Sequence, residues 1–168
     1  MLRELRVYRD GISRPSSQGG RVSRRLYLGI DPGKSGAIAF IDHEGRGAMS
    51  IKLSETPRDI WDWLVVNGDA DYGVIERVWS RPGQGVSSTF KFGESFGFCQ
   101  GVLVASGVRH EFVSPSKWQG ALGCRSKGDK RVTKARAQQL FPDVKVTHAN
   151  ADALLLAEYA RRIREGAG

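Results

Sequence analysis

This sequence predicts an α/β fold, and three observations predict it. Three extended segments, 26–31, 36–41 and 47–53, precede the first helical pattern. Two further short apolar segments, Tyr72-Gly-Val-Ile-Glu76 and His110-Glu-Phe-Val113, are each followed by helical sequence. The resulting order, β-β-β-α-β-α-β-α-α, mixes a meander with strand–helix alternation.

The first strand, from Leu26, ends at Asp31, where Pro32 and Gly33 turn the chain toward Gly36-Ala-Ile-Ala-Phe-Ile41. Asp42-His-Glu-Gly45 turns it again before 47–53, so the three segments read as an antiparallel meander. Thr56 caps the first helix, with Pro57 at its first position and Asp59 in its first turn. Ile60, Trp61 and Leu64 supply that helix's apolar face. The strand at 72–76 is short and apolar, as a buried central strand should be, and a Gly/Pro/Ser loop at 78–86 follows it. A long helix is expected over 88–106, then the strand at 110–113 and a polar loop at 125–129. A basic helix over 130–140 stops at Phe141-Pro142, and a last helix spans 149–164.

The chain has 168 residues, enough for one substantial core. With 26 Lys and Arg against 18 Asp and Glu, its net charge of +8 favours a polyanionic partner, nucleic acid before an anionic membrane. The bland alternative is a soluble protein that is merely basic. Cys99 and Cys124 make neither a disulfide framework nor a zinc motif, so a reducing, cytoplasmic setting is expected. No apolar run approaches the roughly 20 residues that span a bilayer, and the N-terminus lacks the apolar core of a secretory signal. Residues 1–25 read as a flexible basic arm ahead of a folded domain at 26–168. The arm either grips phosphates or has no role. Its Arg- and Ser-rich start is similar to a transit peptide, against which Glu4 and Asp10 count.

Asp31 and Glu76 each end an apolar strand, and Asp152 stands in the last helix. Each alone has an ordinary explanation: a turn former, a solvated rim residue, a partner for the helix dipole. Together they describe a site for divalent metal. Two-metal nucleases hold two Mg²⁺ about 4 Å apart, one activating water and one stabilising the leaving oxygen. Mg²⁺ takes hard oxygen ligands, usually a few carboxylates completed by water and phosphate, and Mn²⁺ is expected to substitute. Asp31 would be the shared ligand, with Glu76 on a neighbouring strand and Asp152 approaching from the helix.

Ile30-Asp31-Pro-Gly, Ile75-Glu76 and Ala151-Asp152-Ala-Leu-Leu, in this order and strand–helix setting, resemble RuvC-like Holliday junction resolvases, especially the compact bacteriophage type. The resemblance covers about residues 26–164. It implies an RNase H-like fold, a five-stranded mixed sheet flanked by helices, with the first and fourth strands adjacent. It also implies a homodimer that cuts four-way DNA junctions by paired symmetric nicks. One position departs from the family pattern: Ala149 stands where a fourth, often acidic, metal-binding residue is usual. His148 would share a helical face with Asp152 and is the candidate replacement, against a bland surface or capping histidine. Asn150 would point to the opposite side.

Several residues fit DNA. Trp79 follows Glu76 by three positions and either stacks on an unpaired base or packs under the loop. In RuvC proteins an aromatic at this offset probes the crossover point, and the resemblance assigns Trp79 that part. Arg81 could hold a phosphate. Lys117, Lys127, Lys130, Arg131 and Lys134 form a basic ridge suited to phosphates, or a solvated face. The resemblance places Lys117 and Lys130 close to the active site, where a lysine can also stabilise the transition state. In the long helix, Gly93, Gly97 and Gly101 recur at four-residue spacing, continued by Ala105. Each glycine costs roughly 1 kcal/mol of helix propensity, so close packing should compensate. The stripe would pack on its own sheet or on a second copy, and the resemblance favours the dimer. Phe92, Phe96, Cys99 and Leu103 are expected to complete its apolar surface.

Gly33-Lys34-Ser35 invites an ATP-binding reading, but a P-loop needs glycine at the position of Leu28. No small-molecule substrate is expected. Two alternatives stay open: a nuclease of the same fold acting on flaps, forks or RNA–DNA hybrids, and a junction-binding protein without catalysis.

Overall fold

Five strands form one mixed sheet in the computed structural model, which describes residues 25–33, 35–67, 70–77 and 85–166. The strands are β1 (Leu26–Asp31), β2 (Ala37–Asp42), β3 (Met49–Lys52), β4 (Tyr72–Glu76) and β5 (His110–Val113). The helices are α1 (Pro57–Asn67), α2 (Val86–Ser106), α3 (Pro115–Ala121), α4 (Lys130–Leu140) and α5 (Ala151–Glu165). The order across the sheet is β3-β2-β1-β4-β5. β1–β2 and β2–β3 are antiparallel, whereas β1–β4 and β4–β5 are parallel. The first and fourth strands are therefore neighbours, and the meander is joined to a parallel half.

Helices cover both faces of the sheet. On one face Leu28, Ile30, Ile38, Phe40 and Ile75 pack with Ile60 and Leu64 of α1 and Cys99, Val102 and Leu103 of α2. On the other, Tyr27, Ala39, Ile41 and Val74 pack with Trp118 of α3, Ala137 of α4 and most of α5. Alternation along a strand explains the division: residues 27, 29 and 31 of β1 face α5, and 28 and 30 face α1 and α2. β2 is buried at every position because both of its faces are covered. The cap of α1 is as expected, the Asp59 amide donating to Thr56 Oγ1 at 3.1 Å.

Three features differ from the expectation. α3 had no counterpart in it, although Ser114-Pro115 carries a start signal, an N-cap serine before a proline. α5 begins at Ala151 rather than 149, after a turn that Thr147 and Asn150 bridge with a capping-box pair of bonds. The Thr147 amide donates to Asn150 Oδ1 at 2.7 Å and the Asn150 amide to Thr147 Oγ1 at 3.3 Å. Thirdly, residues expected to complete the apolar surface of α2 lie apart from the stripe of Gly93, Gly97 and Gly101. A Cβ built on any of these glycines meets nothing within 4 Å among the described residues. Cys99 and Leu103, which were expected to share that surface, are buried on the opposite side of α2, and Phe96 packs with them.

The basic arm up to residue 24 lies outside the described residues, as do Trp79 and Arg81. No described helix is long and apolar enough to cross a membrane.

Candidate active site

The three acids converge on one end of the sheet and on one face. β1 and β4 run parallel, and their last registered pair is Ile30 with Ile75. Asp31 and Glu76 are the next residues on each strand. Both continue the alternation of the face that carries α5. Asp152 lies in the first turn of α5, which packs across β1, β2 and β4.

Each acid is held differently. Asp31 is 6 % exposed, and its Oδ1 accepts the Gly33 amide at 3.0 Å. Gly36 closes the turn by donating to the Gly33 carbonyl at 2.8 Å, and a Cβ on Gly36 would stand 2.0 Å from the Asp31 carbonyl oxygen. The turn after Asp31 therefore needs glycine at that position. Glu76 Oε1 accepts the indole N–H of Trp118 at 2.8 Å. Asp152 Oδ2 is 3.9 Å from Lys130 Nζ, and its Oδ1 is buried with no hydrogen-bond partner among the described residues.

The electrostatics reflect crowding of like charge. Burial pushes the Asp31 carboxyl above the usual range, and the charge of Asp152 adds to it, opposed by the Gly33 amide and Lys130. Burial pushes Glu76 up to about 7, and the charges of Asp31 and Asp152 add to this. Trp118 and Lys130 oppose that rise. Both acids thus feel the charge of Asp152, with Lys130 as their common counter-charge.

Of the remaining sequence candidates, Lys130 reaches the cluster and Lys117 does not. Lys117 is exposed, and its ammonium is raised above the ordinary value first by a hydrogen bond with Tyr159. Tyr159 lies two helical turns beyond Asp152 on α5. Arg131 folds back on Asp129, the N-cap of its own helix, with Nη2–Oδ2 at 2.9 Å. Lys127 is exposed at a left-handed turn with φ 49°, and Lys134 is half-buried on α4. His148 is exposed in the turn before α5, four residues ahead of Asp152. It neighbours Asp129, whose carboxyl is lowered chiefly by hydrogen bonds from Arg131. Asn150 is engaged in the capping box and also donates to Ser50 Oγ at 3.1 Å. Trp118 escaped the sequence reading. Its only signal was an aromatic four residues beyond the N-cap Ser114, which marks a buried helix face and not a site.

Asp31, Glu76 and Asp152 are the set that could hold a cation. No three Asp, Glu, His or Cys among the described residues close a ready-made cage around one point. Mg²⁺ does not need one, because it keeps several waters and binds through one or two carboxylates. The hard oxygen donors, the partnerless Asp152 Oδ1 and the mutual repulsion of the acids all fit a divalent ion.

Fold and site together define an α/β domain of the RNase H-like class, with carboxylates gathered where its two central parallel strands end. Among solved structures, the chain is similar to Thermus thermophilus RuvC in complex with a Holliday junction substrate. The TM-score is 0.61 at 17% identity, covering 84% of this chain and 96% of that one. It is also similar to a second Thermus thermophilus RuvC structure, with a TM-score of 0.58 at 19% identity over 84% and 96% of the two chains. No family model and no curated protein sequence matches the chain. At these identities the likeness speaks for a RuvC-like fold and does not distinguish the bacteriophage type.

Proposed function

We propose that this chain is a metal-dependent endonuclease that resolves four-way DNA junctions by paired symmetric nicks, working as a homodimer. The observation that carries the reading is the convergence of Asp31, Glu76 and Asp152 on one face at one sheet end, beside Lys130. The RuvC-like fold supports it, one solved neighbour having been captured with a Holliday junction substrate. The compact bacteriophage type within that class is part of the same proposal.

Two Mg²⁺ ions bound there, or Mn²⁺ in their place, would supply an activated water and charge neutralisation at the scissile phosphate. Asp31, Glu76 and Asp152 would hold them, with His148 as a further candidate from the adjoining turn. Lys130 brings positive charge to the same place, suited to a phosphate oxygen whose charge grows in the transition state. The net charge of +8 attracts the DNA backbone, and Lys117, Lys127, Arg131 and Lys134 are the proposed phosphate contacts. Trp79 is the proposed stacking residue at the crossover, with Arg81 beside it. The outward Gly93, Gly97 and Gly101, near the exposed Phe90 and Val104, form the proposed dimer face.

The test is cleavage of a labelled four-way junction in Mg²⁺, beside forked DNA, duplex and an RNA–DNA hybrid, with Asp31→Asn as control. Symmetric nicks at the junction that vanish in the variant are expected. Cutting confined to forks, flaps or hybrids would keep the nuclease and replace its substrate. Tight junction binding without cutting in either metal would leave a binding protein.

A further inference from the structure

The Glu76 carboxylate is fixed by a group that has no charge and cannot accept a proton. Trp118 is 0 % exposed in the core beneath α5, and its indole N–H meets Glu76 Oε1 at 2.8 Å. The path of the chain explains how it gets there. Val113 is the register partner of Glu76 on β5. The chain leaves β5 at once into α3, where the Lys117 and Trp118 amides both donate to the Ser114 carbonyl. One helical turn thus carries the indole back beside the acid that its own strand pairs with.

We propose that Trp118 is a positioning residue for metal binding: its indole N–H holds Glu76 Oε1 and leaves Oε2 to the cation. This rests on the metal-nuclease reading above. An indole N–H only donates, so it can bond a carboxylate lone pair without taking or giving up a proton. Its ring is locked by complete burial, so the acceptor oxygen is locked with it. A lysine or arginine in the same place would also hold the oxygen, but its charge would repel a cation and neutralise the acid. The neutral donor orients the ligand and keeps its charge available. The competing account is purely structural: Glu76 merely satisfies a buried indole N–H. That account moves stability and leaves metal affinity alone.

The experiment compares wild type, Trp118→Phe and a variant with benzothienyl-alanine at 118, which keeps the two-ring shape and replaces N–H by sulfur. Mn²⁺ binding to the full chain is measured by electron paramagnetic resonance, and junction cleavage is titrated with Mn²⁺. Losing the donor should raise the Mn²⁺ half-saturation roughly 10–100-fold, as loss of groups that orient metal ligands does. The KM for the junction should stay the same. In wild type, the Trp118 indole ¹H–¹⁵N signal, identified by its loss in Trp118→Phe, should shift when Mg²⁺ is added. Should Trp118→Phe fail to fold, the benzothienyl variant decides. A folded variant with wild-type Mn²⁺ affinity overturns the positioning role and leaves the nuclease reading standing. A wild-type chain that binds no Mn²⁺ and cuts no junction overturns both.

Discussion

Gly29 and Ala153 meet backbone to backbone. A Cβ on Gly29 would stand 2.2 Å from the Ala153 carbonyl oxygen and 2.2 Å from the Ala157 amide nitrogen. Gly29 precedes Asp31 by two positions on the same face of β1, and Ala153 follows Asp152 directly. This close approach therefore sets how near α5 brings its acid to the strand that carries the other. Ala153, Ala157 and Ala160 keep the contacting side of α5 small.

Gly29→Ala should accordingly cost about 3 kcal/mol or more, the upper end of overpacking, because the obstruction is backbone on both elements. Urea denaturation reads it. A variant with an unchanged midpoint would mean that α5 is not seated on β1 as described.

Gly97→Ala should behave in the opposite way. Its Cβ would enter open space, so an isolated monomer should gain roughly 0.5–1 kcal/mol from helix propensity. If this face lies against a second copy at close backbone distance, the added methyl should instead loosen the dimer. Sedimentation equilibrium with parallel thermal melts separates the two effects. The proposed interface requires weaker dimerisation without a less stable monomer, and a dimer that tolerates Gly97→Leu would refute it.

The sheet was legible because apolar runs and turn residues report on burial and chain reversal directly. Asp31-Pro-Gly and Tyr72–Glu76 marked the ends of the strands that hold the acids. The adjacency of β1 and β4 was not legible in the residues themselves. It came from resemblance, since pairing between distant strands leaves no local trace. The lysines show the same limit: Lys117 and Lys130 look equivalent in sequence, yet α3 carries one toward Tyr159 and the start of α4 carries the other toward Asp152. The outward glycines were legible as a stripe but not as to direction, because periodicity shows that residues share a face and not what the face meets. The bond from Trp118 to Glu76 spans 42 residues and depends on a short helix that was not foreseen.

The raised carboxyls predict an unusual pH dependence for the metal-free protein. Glu76 is pushed up to about 7 by burial first and then by Asp31, so the folded state binds its proton more tightly than the unfolded chain does. Stability should then fall as pH rises from the unfolded value through about 7, contributing on the order of 1–3 kcal/mol. Glu158 acts in the reverse sense. Burial would raise it, but hydrogen bonds from Arg161 and Arg162 outweigh that and lower it, so its contribution is lost only as pH falls into the acid range. Thermal melts in EDTA between about pH 6 and pH 8 should show a declining midpoint. Asp31→Asn should raise the midpoint and flatten the decline, and added Mg²⁺ should do the same for wild type. Melts that rise steadily across this window would contradict the crowding of the acids.

Lys130 and Lys117 should separate in function as they do in space. Lys130 stands 3.9 Å from Asp152 and opposes the raised carboxyls of Asp31 and Glu76. Lys130→Ala should therefore slow single-turnover junction cleavage by about 10²-fold, the size of losing one donor to a developing oxyanion. Lys117 is exposed and its ammonium is raised chiefly by Tyr159, not by the carboxylates, so Lys117→Ala should leave the rate at saturating DNA nearly unchanged. If Lys117 touches a phosphate, its loss should lower the salt dependence of binding by about one unit of slope. Rates at saturating junction, with binding measured across a salt series, distinguish the two roles. Equal loss of rate in both variants would mean that Lys117 abandons Tyr159 for the carboxylates once DNA is bound, and that α3 moves with it.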